Sequence, residues 1–410
     1  MNNCPRAVTM LGWLVAGILL VAPCAAQQYH LRAPDEVIPR TLFGLHIHRV
    51  ALTTPWPDAP FGSLRLWDAG VTWWDVQRID KTKYEFRLLD KTISLAESHQ
   101  VEPFMTLGMT ATWAASRPND SAKFRPGSVS EPRNMQDWRD FVQTLATRYK
   151  GRIHYWEVWN EPNDGAFYTG TIPNLVQISK VAYETLKEVD PSNMVSSPPP
   201  TYGLKGVPWL NNYLRAGGGK YADIIGYHMY VDKPEDIVPL VEKIHEVMNE
   251  NGVGDKPLWN TETGWGLQGK LTTLQAEGYV PRAYILSWAS GVTRFYWYDW
   301  DSNTEGLAKD NGKTRTSAGF SFVEVQKWLV GARMLGCDSD SPSMWTCQIT
   351  RDGGYHGYIV WDPEGQTKFS IPAAWKVVLQ RDIDSNTHDL RKETSTEIGI
   401  RPILLENKTP

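Results

Sequence analysis

Two glutamates sit in similar neighbourhoods in this 410-residue chain. Glu161 lies in the run Trp156-Glu157-Val158-Trp159-Asn160-Glu161-Pro162-Asn163, and Glu262 in Leu258-Trp259-Asn260-Thr261-Glu262-Thr263-Gly264-Trp265. Each follows a short β-prone stretch and is flanked by aromatics and amides. Brought face to face, two such acids can break a glycosidic bond: one protonates the departing oxygen while the other meets the developing oxocarbenium carbon from the opposite side. A separation of about 5–5.5 Å leads through a covalent intermediate to retention, and a wider one admits a water and inverts. One acid must be ionised and the other protonated, so their surroundings have to push their pKa values apart. Either glutamate alone reads as a solvated loop acid.

Short β-rich runs alternate with amphipathic helical stretches around these residues. Strands are expected at 41–48, 63–67, 101–107, 153–159, 194–197, 223–228, 257–261 and 293–298. Helical periodicity falls at 89–98, 135–149, 175–189, 235–249, 271–289 and 317–329. Eight strands alternating with helices predict an α/β fold, a closed (β/α)8 TIM barrel over residues 41–330, with Glu161 ending strand 4 and Glu262 ending strand 7 across the ring. An open doubly wound sheet predicts a glycine-rich loop after the first strand, and Arg49-Val50-Ala51 stands there instead. Pro55, Pro57 and Pro60 leave little room for a first helix. After residue 330 the texture changes to short alternating runs at 344–349, 357–361, 367–371, 375–378 and 398–405, a small β-sandwich-like domain over 331–410. Residues 27–40 are expected to lend it a strand, near 28–37.

His46-Ile47-His48 at the end of strand 1 raises a second chemistry, because paired histidines at that position can bind a metal in barrel amidohydrolases. Such a site also takes histidines from strands 5 and 6 and an aspartate from strand 8. His228 and Asp299 or Asp301 are available, but residues 194–200 hold no histidine. The ligand set is therefore incomplete, and neither metal nor cofactor is expected. One of the pair is instead expected to line a sugar pocket, with His46 as the candidate substrate contact, and the other to face the barrel wall. With 19 Trp the chain can spare flat apolar faces for a groove. Trp297 and Trp300, in Phe295-Tyr296-Trp297-Tyr298-Asp299-Trp300-Asp301, are the candidate stacking platforms, with Trp113 and Trp265 behind them. Core packing explains Trp297 or Trp300 about as well.

Lys plus Arg number 42 against 46 Asp plus Glu, for a net charge of −4. No basic run offers a grip on a phosphate backbone, so nucleic acid is not an expected partner. Residues 1–26 hold Arg6, an apolar run from Ala7 to Val21 and the small-residue stretch Ala22-Pro23-Cys24-Ala25-Ala26, which reads as a cleaved secretory signal. The expected address is secreted or periplasmic, with no membrane contact after cleavage. An uncleaved anchor is the competing reading, and acylation of Cys24 ranks last because Pro23 precedes it. Of four cysteines, Cys4 and Cys24 leave with the signal. Cys337 and Cys347 remain as an even pair in an oxidising compartment, where a disulfide closing a short loop is expected.

Asn160-Glu161-Pro162 ending strand 4, together with a glutamate ending strand 7, resembles clan A of the retaining glycoside hydrolases. Within that clan, Trp159-Asn160-Glu161-Pro162-Asn163, the run Leu66-Trp67-Asp68 and the trailing β domain look like glycoside hydrolase family 39. The resemblance spans residues 41–330. It implies that Glu161 is the general acid/base, Glu262 the nucleophile, and Asn160 a hydrogen-bond partner of the sugar 2-hydroxyl. Tyr227-His228-Met229-Tyr230 resembles the clan's His-x-Tyr, which implies that His228 contacts the sugar or the acid/base and that Tyr230 orients Glu262. Arg65 resembles the clan's arginine beside the nucleophile; a barrel-floor ion pair is the plainer reading of it. The implied activity is hydrolysis of an extracellular poly- or oligosaccharide. A carbohydrate-binding barrel without catalysis is the alternative from another class, and the presence of both acids weighs against it. The sugar, endo or exo action and the oligomeric state are not legible in the sequence.

Overall fold

The structure is a computed structural model that describes residues 28–122, 124–340 and 343–408. The expected signal segment, with Cys4 and Cys24, lies outside the described residues. Eight parallel strands form the central sheet: β1 (Phe43–Leu45), β2 (Ser63–Leu66), β3 (Glu102–Leu107), β4 (Tyr155–Val158), β5 (Met194–Ser196), β6 (Ile225–His228), β7 (Leu258–Thr263) and β8 (Val292–Trp297). Pairing runs in chain order from β1 to β5 and from β6 to β8, and β8 returns to β1. The ring closes between β5 and β6, where Ser197 N donates to the Ile224 carbonyl at 2.9 Å and Asp223 N to that of Val195 at 2.7 Å. Every residue of β2, β6 and β7 is buried, as strands covered on both faces must be.

The outer ring holds α1 (Trp73–Val76), α2 (Arg87–Ser98), α3 (Met135–Arg148), α4 (Ile172–Val189), α5 (Val207–Arg215), α6 (Ile237–Glu250), α7 (Thr273–Ala289) and α8 (Ser317–Leu329). Polar caps fix several of their starts. Asn134 accepts from Gln136 N at 2.9 Å, Thr171 from Asn174 N at 3.3 Å, and Thr316 from Gly319 N at 3.2 Å. Thr272 and Gln275 form a reciprocal capping box at the start of α7. Each cap contributes about 1 kcal/mol and ends the preceding loop at a defined residue. The Pro-rich stretch between β1 and β2 forms turns rather than a helix, as its prolines dictate. The α1 and α5 helices are findings of the structure: α1 has only four residues, and α5 opens with Pro208 and carries too short an apolar stripe to stand out.

Antiparallel strands follow the barrel: β9 (Arg333–Ser339), β10 (Trp345–Arg351), β11 (Tyr355–Trp361), β12 (Thr367–Ser370), β13 (Leu379–Arg381), β14 (Thr387–Asp389), β15 (Ser395–Ile398) and β16 (Ile403–Glu406). One sheet runs β9-β10-β11-β16-β13-β14, and β12 pairs with β15 in a second. His30–Leu31 adds an edge strand beside β9, shorter than the 28–37 span expected. Tyr358, Val360, Phe369, Ile398 and Leu405 form a small core between the two sheets. The strand expected at 375–378 is instead a 3-10 turn, Ala373–Trp375, followed by Lys376 at φ 52°; Trp375 stacks on Tyr358 at 3.9 Å, so ring packing rather than pairing fixes this segment. Cys337 and Cys347 lie directly opposite on β9 and β10 and form the expected disulfide. Trp361 donates from Nε1 to Glu235 of the barrel at 3.0 Å, tying the larger sheet to the loop before α6.

Candidate active site

The carboxyl-terminal rim of the barrel gathers the residues that the sequence singled out. Glu161 leaves β4 through a tight reversal in which Trp159 (φ 63°) and Glu161 (φ 42°) both take left-handed backbone. Such conformations cost about 1–3 kcal/mol each and persist where surrounding contacts over-determine them. Here Trp159 is pinned from N to the Leu107 carbonyl at 2.6 Å and from Nε1 to the Phe167 carbonyl at 2.9 Å. Glu262 projects from β7. One oxygen from each glutamate and one nitrogen of His228 lie within 4.8 Å of one another.

Different partners hold the two acids. Arg65, on β2 and buried, donates from Nη1 to Glu262 Oε2 at 2.8 Å, from Nη2 to Asn160 Oδ1 at 2.8 Å and from Nε to Glu157 Oε2 at 2.7 Å. Tyr230 donates its hydroxyl to Glu262 Oε1 at 2.9 Å. His228 Nδ1 lies 2.8 Å from Glu161 Oε1. Burial pushes the His228 imidazole down to about 3, against the pull of Glu262, so the ring is neutral at ordinary pH. A neutral imidazole donates to a carboxylate or accepts from a carboxylic acid, so this contact survives either protonation state of Glu161. Burial pushes the Glu262 carboxyl up to about 7; Glu161 and Asp68 add to the rise, and the Arg65 guanidinium opposes it. Arg65 alone therefore does not leave Glu262 in the ordinary carboxylate range.

A cavity of about 640 Å³ opens above the pair, within the range of small-molecule sites. Asn160, Glu161, Tyr230 and Glu262 line it, together with His48, Asp68, Asp164 and Thr201 and the rings of Trp67, Phe124, Phe167, Tyr202 and Tyr298. Trp297 and Trp300 do not line it. Both are wholly buried, with their indole N–H groups on the carbonyls of Glu305 and Gly312 at 3.0 Å. Trp113 donates to the Gln77 carbonyl at 2.7 Å and packs on Trp73, and Trp265 donates to the Val231 carbonyl at 2.8 Å. None of the four candidate platforms lines this cavity. The tryptophan that does line it is Trp67. Its signal was its position at the end of β2, whereas Phe124, Phe167 and Tyr202 lie in loops without periodicity.

The two histidines of the His-x-His pair separate. His46 is buried, with Nε2 3.1 Å from the Thr261 carbonyl; burial pushes its pKa well down, so the neutral ring donates there. The residue that reaches the cavity is His48, not the expected His46. His48 Nε2 is 2.9 Å from Asp68 and Nδ1 is 3.1 Å from both Asp299 and Asp301. Burial opposes its protonation, yet hydrogen bonds to Asp301 and Asp68 raise it to about 11, so it stands as a cation among three carboxylates. Tyr298 donates to Asp68 at 2.8 Å and completes the cluster. His46 shares neither of the two clusters that could hold a metal, His48-Asp299-Asp301 and Glu161-His228-Glu262. The ligand set of an amidohydrolase is therefore not assembled among the described residues, and His48 itself supplies the positive charge that its aspartates face.

Comparison with known proteins bears on the same site. The model of glycosyl hydrolases family 39 matches residues 68–267, which include both glutamates. An endo-1,4-beta-xylanase C of Paenibacillus barcinonensis is 23% identical over 205 residues, which span 43% of this chain and 18% of that enzyme. The chain thus covers under a fifth of the length of that curated relative. Among solved structures, a family 39 glycoside hydrolase from the gut symbiont Bacteroides cellulosilyticus WH2 superposes with a TM-score of 0.71 at 20% identity, over 91% of this chain and 82% of that one. A family 39 beta-xylosidase from Caulobacter crescentus gives 0.69 at 15% identity, over 92% and 98%. A glucosidase from Croceicoccus marinus gives 0.67 at 15% identity, over 93% and 98%.

Proposed function

We propose, from the premise that this chain has the family 39 glycoside hydrolase fold of the clan A type, that it cleaves glycosidic bonds by double displacement. The observation that carries this reading is the placement of two glutamates at the cavity floor, one oxygen of each within 4.8 Å of the other, each with its own set of partners. We read the pair as the closely spaced kind, which works through a covalent intermediate.

In the first step Glu262, aligned by Arg65 and Tyr230, attacks the anomeric carbon while Glu161 gives its proton to the leaving oxygen. His228 stays on Glu161 as the acid becomes a carboxylate. In the second step Glu161 takes a proton from water, which displaces Glu262 and restores both groups. Asn160, fixed by Arg65, holds its amide toward the sugar hydroxyl beside the bond, and Trp67 offers the flat face of the cleft. Arg65 is turned inward to Glu157, Glu262 and Asn160, and the acids Glu161, Glu262, Asp68 and Asp164 face the cavity. That lining suits a neutral poly- or oligosaccharide better than an anionic one. We further propose that residues 1–26 export the protein, that 41–330 form the catalytic unit, and that 331–410 with 27–40 form an accessory unit.

The test is hydrolysis of aryl xylosides, aryl glucosides, xylan and other plant and bacterial polysaccharides by wild type and Glu262→Ala, with EDTA throughout. Turnover by wild type alone supports the reading. Saturable binding without turnover by wild type makes the barrel a carbohydrate binder, and turnover lost to EDTA restores metal chemistry.

A further inference from the structure

One guanidinium serves two buried carboxylates. Arg65 reaches Glu262 at 2.8 Å through Nη1 and Glu157 at 2.7 Å through Nε, and all three side chains are at least nine-tenths buried. Thr106 donates to the same Glu157 oxygen at 2.9 Å. Glu157 lies on β4 four residues before Glu161, does not line the cavity, and has no role in the chemistry described above. A single positive charge in a low-dielectric interior offsets one carboxylate well; a second carboxylate on the same cation is left under-compensated. Two such acids titrate as a coupled pair, and whatever one draws from the cation is withdrawn from the other.

We propose that Glu157 is a positioning residue that competes with Glu262 for the Arg65 guanidinium and so sets how much of that charge the nucleophile receives. The role of Glu262 rests on the hydrolase reading, whereas the coupling rests on geometry alone. The other groups that face Glu262 come from separate elements: Asp68 after β2, Glu161 after β4, His228 and Tyr230 at the end of β6, and Tyr298 after β8. Substituting Glu157 leaves all of them in place. With the competing charge gone, more of the Arg65 charge falls to Glu262, which then ionises at lower pH.

The test is a carboxyl-carbon NMR titration of the full chain labelled at glutamate, with the Glu262 resonance identified by its loss in Glu262→Gln. Glu157→Gln is expected to move the Glu262 midpoint to lower pH by about one unit, a tenfold change in ionisation constant. Glu157→Asp keeps the charge and is expected to move it less. If Glu157→Gln does not fold, Thr106→Val removes a donor that favours ionised Glu157 and is expected to shift Glu262 the same way by a smaller amount. A Glu262 midpoint that stays put or rises in a folded variant overturns the proposal. The titration needs no substrate, so a shift in a protein without turnover keeps the coupling and removes the hydrolase reading. Turnover with an unmoved midpoint does the reverse.

Discussion

His228 Nδ1 stands 2.8 Å from Glu161 and 3.8 Å from Glu262, so one buried, neutral imidazole borders both carboxylates. Its other ring nitrogen has no partner among the described residues. The ring's short polar contact is thus with Glu161, the proposed acid/base. His228→Ala is expected to cost about 10²-fold or more in kcat with substrates whose leaving groups need protonation, and much less with an activated aryl leaving group. Equal losses on both would mean that His228 serves the nucleophile or the fold instead.

The two glutamates should separate by leaving group. Glu161→Gln is expected to lose about 10²- to 10⁴-fold on alkyl glycosides while keeping a slow first step on activated aryl glycosides, with azide restoring turnover in Glu161→Ala. Glu262→Gln is expected to be silent on both. A glycosyl azide of retained configuration from the Glu262 variant alone would exchange the roles.

Tyr230 holds one Glu262 oxygen through a single hydrogen bond to a charged group. Tyr230→Phe removes that bond at almost constant volume, and a loss of about 10- to 100-fold in kcat with the fold intact is expected. An unchanged kcat would leave Arg65 as the sole alignment of the nucleophile.

Burial sets the pH behaviour. With Glu262 pushed up to about 7, kcat/KM is expected to rise with pH through about 7 as the nucleophile ionises, and to fall again once Glu161 loses its proton. Stability moves the other way. A carboxyl whose folded pKa lies above its unfolded value binds its proton more tightly in the native state, so native stability falls as pH rises from about 4 to about 7. Glu262→Gln escapes that cost, and its Tm advantage over wild type is expected to grow between pH 5 and pH 8. A Tm difference that does not change with pH would mean Glu262 is not raised.

The aromatic assignments can be separated by KM against stability. Trp67→Ala is expected to raise KM with a modest change in Tm. Trp297→Ala, at a wholly buried site, is expected to destabilise the fold by about 3–5 kcal/mol. The reverse pattern would return the platform to strand 8.

Much of this was legible because it depends on residues next to one another in sequence. Asn160, Glu161 and Glu262 follow β-prone runs, and a barrel delivers strand ends to one rim, so the pair could be placed before any coordinates. His228, Tyr230 and Arg65 came through the family resemblance, and each has a carboxylate or amide partner at the rim. What failed depends on contacts across the fold. Alternation puts Trp297 on a face but does not say whether Glu305 will take its N–H, and nothing local tells His46 from His48 when their partners, Thr261 and Asp301, are more than 200 residues away. Glu157 carries no local signal, because its significance is the shared arginine rather than its place on the strand.

The most direct measurement is the anomeric configuration of the first-formed product, followed by proton NMR from the start of hydrolysis on whichever substrate of the panel is cleaved. The proposed double displacement predicts net retention, with a glycosyl adduct recoverable on the peptide that contains Glu262 when turnover is slowed. Inversion, or an adduct on any other residue, would contradict the double displacement and the role given to Glu262.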